Sequence, residues 1–373
     1  MLLRLGEIIT VLEDACPPGL AAEWDNVGLH VGDAGSEVKR IVVALDPDAQ
    51  ALERATGEGA DLLVTHHPLF RQPPRRFTPT DPDAARVMAA VRGGLAVYSM
   101  HTNFDSITGG VSDALAERLG LEASRDALVP EGAKKKIVVF VPPDSVDKVA
   151  GAMASAGAGR IGDYSECSFR VAGTGTFRAP AYAHPAQGKA GEFNEVQEVR
   201  LEMVLPSERA DGVARALLSA HPYEEVAYDV YDVAGTRSEV GLGRIGRLKP
   251  PQALSDFAVY CSDRLETPTV KYAGPSDKRV SVVAVCGGSG GGLLEAARRA
   301  GADVLVTGDI RYHDAQKALQ VGLAVVDAGH DGTEAPSVQA LAALITGSLQ
   351  AAGYDGDLAV YWRADPIFKP AGG

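Results

Sequence analysis

The sequence predicts an α/β protein made of two similar α/β halves, interrupted by an α+β ferredoxin-like insert. Three observations lead there. The apolar runs are short, β-branched and non-alternating, as in strands covered on both faces of a parallel sheet. One stretch occurs twice: residues 59–65 read GADLLVT and residues 301–307 read GADVLVT. Between these copies, from about residue 131 to 239, the character changes to an order β, α, β, β, α, β with period-two alternation in its later strands. The expected organisation is residues 1–130 with 240–373 as one discontinuous domain, and 131–239 as the insert.

The elements follow in order. The N-terminal stretch carries Glu7, Glu13 and Asp14 inside its apolar pattern and stops at Pro17 and Pro18, so it reads as an amphipathic helix rather than a leader. KRIVVALD (39–46) is the first strand of the first half, and KRVSVVAV (278–285) is its counterpart. LLVT and VLVT supply the second strands, and GLAVYSMH (94–101) and GLAVVDAGH (322–330) the third. The linking segments DAQALERATGEG, DAARVMAAVRGG, LLEAARRAG and HDAQKALQVG read as helices that end at glycine. The first half is longer by a proline-rich loop, FRQPPRRFTPTDPD (70–83), which carries Arg71, Arg75 and Arg76. That loop is either solvated surface or a lid bringing positive charge to an anionic ligand. In the insert, KKKIVVFVP (134–142) starts a strand and DSVDKVAGAMASAGA (144–158) a helix. The outer domain resumes near GLGRIGRL (241–248).

Composition narrows the function classes. The chain has 36 Lys and Arg against 49 Asp and Glu, a formal charge of −13. An acidic surface repels phosphate backbones, which argues against a nucleic acid polymer as partner but leaves anionic small molecules open. Cys16, Cys167, Cys261 and Cys286 show neither metal-ligand spacing nor a disulfide framework, as expected of a cytoplasmic protein. No window reads as a membrane span.

Ligands of open parallel sheets bind beyond the carboxyl ends of the strands. Five of the eight histidines sit at such ends: His66 and His67 after LLVT, His101 after LAVYS, His313 after VLVT, and His330 after LAVVD. Asp105, Asp309, Asp314, Asp331 and Glu334 accompany them. Histidine with carboxylate and no cysteine suits zinc, manganese or iron(II), and such a set can hold two ions. Two adjacent histidines share one site only if the backbone turns there, and Pro68 helps to set that turn. The fifth end, CGGSGGG (286–292), is glycine-rich. It reads equally as a flexible connection or as a phosphate nest involving Gly288, Ser289 and Gly290.

EWDNVGLHVGD (23–33), VTHHPLF (64–70), HTNFD (101–105), GLGRIG (241–246), CGGSG (286–290), TGDIRYHDA (307–315) and GHDGTE (329–334) together resemble the GTP cyclohydrolase I type 2 homologue family, the Nif-three-like dinuclear-metal proteins. The motifs run in order through the whole outer domain. The resemblance implies two divalent ions per chain, zinc first, with manganese or iron as alternatives. It implies His66, His67, Asp105, His330 and Glu334 as ligands, with Glu334 bridging. It also implies a ring-shaped homohexamer. Thr333 stands where the family often has serine, which keeps the hydroxyl. AGAGRIGDYSECSF (156–169), GTGTF (173–177) and HPYEEVAYDVY (221–231) resemble the PII-like or CutA-like domain of longer bacterial members.

The resulting expectation is a metal-dependent hydrolase acting on a nucleotide or related phosphorylated small molecule through a metal-bridging water. His101 or His313 would transfer protons. Asp25, Asn26, Arg71, Arg75, Arg76, Gly288, Ser289, Gly290 and Asp309 would hold the substrate. The alternative is a non-enzymatic metal-binding or regulatory oligomer, with the insert as its sensing or assembly surface.

Overall fold

A computed structural model describes residues 3–123, 126–130, 134–162, 164–183, 185–206, 209–233 and 239–361. Residues 131–133, at the expected start of the insert, and 234–238, near its end, lie outside them. The chain divides into two compact units: residues 1–131 with 239–373, and residues 132–238.

The outer unit holds two main sheets. The first runs Asp357–Val360, Arg40–Ala44, Leu62–Thr65, Ala96–Ser99, Gly28–Val31, with all neighbours parallel except the last pair. The second runs Lys271–Ala273, Ala324–Asp327, Val304–Gly308, Arg279–Ser289, Arg244–Ala253, Glu122–Ala123, and its parallel core is Arg279–Ser289, Val304–Gly308 and Ala324–Asp327. Every residue of Leu62–Thr65, Ala96–Ser99, Val304–Gly308 and Ala324–Asp327 is buried. This is why these strands are apolar without alternation.

The likeness of the halves goes further than the repeated letters. Each half opens with a helix, Leu5–Ala15 or Leu254–Leu265. Each continues into a strand that pairs antiparallel with the third parallel strand: Gly28–Val31 on Ala96–Ser99, and Lys271–Ala273 on Ala324–Asp327. Each closes with a five-residue helix, Thr102–Ser106 or His330–Glu334. The connecting helices obey ordinary end chemistry. Asp48 and Asp81 cap Ala49–Gly57 and Pro82–Gly93, and the second ends at Gly94 in the left-handed conformation, φ 64°.

After the insert the chain is anchored by Arg244. Its side chain is fully buried and pairs with Asp113 at 3.0 and 2.9 Å. It also donates to the carbonyls of Gly241, Gly243, Ile107 and Glu239. Beside it, Gly241–Leu242 pairs with Val129–Pro130, so the two ends of the outer unit that flank the insert meet.

The insert has the order Lys134–Val141, Val146–Ser155, Phe169–Arg178, Phe193–Pro206, Ala210–Ala220, Tyr228–Val233. Its antiparallel sheet runs Phe169–Arg178, Phe193–Pro206, Lys134–Val141, Tyr228–Val233. Ile137, Val139, Val141, Leu201, Met203 and Leu205 share a core with Val149, Met153, Val213 and Leu217 of the two helices. The period-two spacing of the strand residues is the signature of a sheet with one covered face. No helix among the described residues is long and apolar enough to cross a membrane.

Candidate metal centre

At the end of Leu62–Thr65 the chain bends. The amides of His66 and His67 still bond to the neighbouring strand, at Ala44 O (3.2 Å) and Leu45 O (2.9 Å). The His67 carbonyl instead accepts from the hydroxyls of Thr65 (2.7 Å) and Ser99 (3.2 Å). The bend overrides the strand alternation and places the two imidazoles side by side, ring centroids 5.0 Å apart.

The other groups come from the two short helices. His101 sits at the N-terminal cap of Thr102–Ser106, with Asp105 four residues on; His330 opens its helix, with Glu334 four residues on. A separation of four places both side chains on one helix face. The pairs His101/Asp105 and His330/Glu334 stand on matching helices offset by one position, His101 as the cap of its helix and His330 as the first residue of its own. Their elements bring the His101 ring within 5.1 Å of His66 and 5.5 Å of His67, and the His330 ring within 5.4 Å of His67.

Two sets of side chains offer ligand atoms within 4.8 Å of one another: His66, His67 and His101, and His67, His330 and Glu334. Glu334 is the hub. Its carboxylate lies 3.0 Å from His67 Nε2, 3.2 Å from His330 Nε2 and 3.7 Å from His66 Nε2. Asp105 Oδ1 is 3.8 Å from His66 Nε2.

Each histidine is held by its other nitrogen. Nδ1 of His66 meets Met100 O (3.0 Å), that of His67 meets Asp46 (2.8 Å), that of His101 meets Asp25 (2.8 Å), and that of His330 meets Asp309 (2.7 Å). This is the outer-shell pattern that fixes the tautomer of metal-ligating histidines. The Nε2 of His66 is buried without a hydrogen-bond partner. Such a nitrogen is costly in a folded core and is what a missing ligand atom leaves behind. Donor types and orphaned nitrogen both fit a divalent ion of the zinc, manganese or iron(II) class.

Electrostatics agree. Burial opposes the charge on Glu334, but the imidazoles of His330, His66 and His67 gathered around it outweigh that and hold the carboxyl well below its ordinary range. Burial pulls His67 down, yet Asp46 and Glu334 lift it to about 10. Glu334, helped by Asp309, raises His330 to about 9 against burial. Asp105 is pushed up to about 7, chiefly by burial, with Glu334 adding repulsion.

Residues 3–362 match the model of the Duf34/NIF3 (NGG1p interacting factor 3) family. The chain belongs to the Duf34/NIF3 family. Among its relatives, the "GTP cyclohydrolase 1 type 2 homolog" of Bacillus subtilis (strain 168) is 41% identical over 328 residues, 87% of each chain. That of Mycobacterium tuberculosis is 40% identical over 342 residues, 90% of this chain and 89% of the relative. The crystal structure of a Bacillus cereus protein related to NIF3 superposes with a TM-score of 0.86 at 35% identity, covering 99% of this chain and 100% of that one.

Within this family member the expected site residues fall into three groups. His66, His67, Asp105, His330 and Glu334 converge, and His101 joins them at ligand distance. A second group supports rather than lines the cavity. Asp25 was expected to face substrate, but its oxygens accept from His101, Thr102 and the Asn26 amide. Those bonds hold its carboxyl low despite burial. Asp309 orients His330 from a left-handed backbone, φ 54°, that aspartate tolerates. Asn26 donates to Phe70 O and ties its loop to the arginine loop.

The third group is not among the converging side chains. His313 is exposed near the start of Tyr312–Gln320 and pairs with Gln316. Gly288 and Gly290 are buried, and their amides donate to Thr333 and Thr307, so they offer no nest to a phosphate. Ser289 is exposed and in strand register with Gly308. The glycines serve the site sterically instead, since a Cβ at Gly288 would collide with Glu334 Oε1. Arg75 and Arg76 are exposed, and Arg71 lies over the Trp24 ring. Asp46 was missed altogether, although it follows the strand Arg40–Ala44 at the position that His67 takes after the neighbouring strand.

Proposed function

We propose that the chain is a dinuclear metal-dependent hydrolase acting on a nucleotide or related phosphorylated small molecule. The observation that carries this reading is the set of four histidines tied at Nδ1 around two carboxylates, with His66 Nε2 left unpartnered. His66, His67, Asp105, His330 and Glu334 would hold the ions, zinc first, manganese or iron(II) as alternatives. Such a pair, when bound, supplies Lewis-acid polarisation of the scissile group and a water activated at neutral pH.

The chain's own residues do the rest. Asp25 accepts from His101 Nδ1 and leaves the opposite ring nitrogen to take a proton from the attacking water and return it to the leaving group. The exposed Arg71, Arg75 and Arg76 attract the anionic part of the substrate. The names of the relatives point to the same substrate class.

A second reading is a non-enzymatic metal-binding oligomer with a PII-like insert as its sensing or assembly surface. It is favoured by the insert's separate core and by Phe169, Val171, Phe193 and Tyr231 exposed on its strands. Either reading places a homo-oligomer in the cytosol, in keeping with four unpaired cysteines.

The test is a panel of nucleotides and phosphoesters offered to protein loaded with zinc, manganese or iron(II). Turnover that falls about 100-fold or more in His101→Gln, with metal content retained, supports the first reading. No turnover across the panel, with metal bound, leaves the second.

A further inference from the structure

Trp24 stands at the rim of the histidine cluster and is 62% exposed. A large indole left mostly in water has apolar surface to offer a partner. Its ring meets His101 in a T-shaped contact, centroids 6.1 Å apart and planes at 76°. The Arg71 guanidinium lies over the ring, 5.8 Å from its centroid. Among the described residues no other ring or cation stacks on it.

The backbone that carries this ring is anchored on both sides. The Ala22 amide donates to Thr102 Oγ1, the Asp25 amide to Ala22 O, and Asn26 Nδ2 to Phe70 O. Asp25 itself is locked to His101 and Thr102. An exposed ring on a fixed backbone loses little freedom when a ligand stacks on it. It stands one ring away from His66 and His67 through His101, and a cation sits beside it.

We propose that Trp24 is the stacking platform for a flat conjugated ring of the substrate, with Arg71 holding the anionic substituent beside it. The inference rests on the hydrolase reading above and adds a specificity residue to it. The site selects ring-bearing phosphates over phosphates without a ring.

The experiment uses the full-length, zinc-loaded protein. Calorimetric titrations with GTP, ribose 5-phosphate and inorganic tripolyphosphate are run on wild type, Trp24→Phe and Trp24→Ala, with metal content measured on each. In a Trp362→Phe background Trp24 is the one remaining tryptophan of two, and its emission reports stacking directly. The expected result is quenching by GTP and not by tripolyphosphate. GTP affinity falls about tenfold or more in Trp24→Ala, while Trp24→Phe keeps most of it and tripolyphosphate binding and metal content do not change. Equal affinity for GTP and tripolyphosphate in wild type and Trp24→Ala overturns the platform and leaves the hydrolase reading standing. Binding of none of the three by fully metallated wild type overturns both.

Discussion

Glu334 is the residue on which three histidines converge, and its position depends on a neighbour with no side chain. Gly288→Ala adds a methyl group where Oε1 now sits, so this variant is expected to lose metal while its circular dichroism stays native; unchanged metal content would refute the steric role. Asp46→Asn keeps the shape but weakens the partner of His67 Nδ1. Metal affinity is expected to fall about 10- to 100-fold, measured by competition with a chromogenic chelator. The pH dependence follows from the carboxylates. They raise His67 to about 10 and His330 to about 9, so both carry protons at neutral pH in the metal-free chain. Ligation requires those protons to leave, so apparent affinity rises with pH, up to about tenfold per unit for each proton displaced. The His330 contribution ends near pH 9 and the His67 contribution near pH 10. Affinity flat from neutral pH to that range would contradict this. The candidate ligands were legible because His66 and His67 end an apolar run and the others follow close after two more. The partners of Gly288 and Gly290 were not, since Thr333 and Thr307 reach them from distant sequence.

The paired elements explain why the site lies between two half-domains. Each half delivers a short helix after its third parallel strand, one with His101 and Asp105, the other with His330 and Glu334. The repeated GAD-LVT stretch made the parallel cores visible in the sequence. The matching antiparallel strands Gly28–Val31 and Lys271–Ala273 left no such trace, being four and three residues long and dissimilar in letters. His313 lies on the exposed side of Tyr312–Gln320, a placement that strand-end position does not foretell, since it says nothing of helical phase. Arg244 is the main tie between elements, joining Asp113 to the carbonyls of the returning chain. Removing the guanidinium leaves the carbonyls of Gly241, Gly243 and Ile107 without its hydrogen bonds, so Arg244→Ala is expected to lower unfolding stability by about 2–4 kcal/mol. Urea melts that differ by less than about 1 kcal/mol would show the network to be dispensable.

Across the whole molecule, the two compact units have separate cores, and the candidate metal ligands all belong to the outer one. The change in composition at the insert was readable because a one-sided sheet alternates and a two-sided sheet does not. Since Val129–Pro130 pairs with Gly241–Leu242, the insert can be excised and the ends joined by a short Gly-Ser turn. The outer unit is expected to keep its metal; loss of metal with native-like secondary structure would show that the insert supports the centre. The central claim, a dinuclear centre hinged on Glu334, is tested most directly by plasma mass spectrometry of untagged protein beside Glu334→Ala. About two divalent ions per chain are expected in the wild type, with a sharp fall in the variant. Little metal in either, even after incubation with zinc, manganese or iron(II), would contradict it.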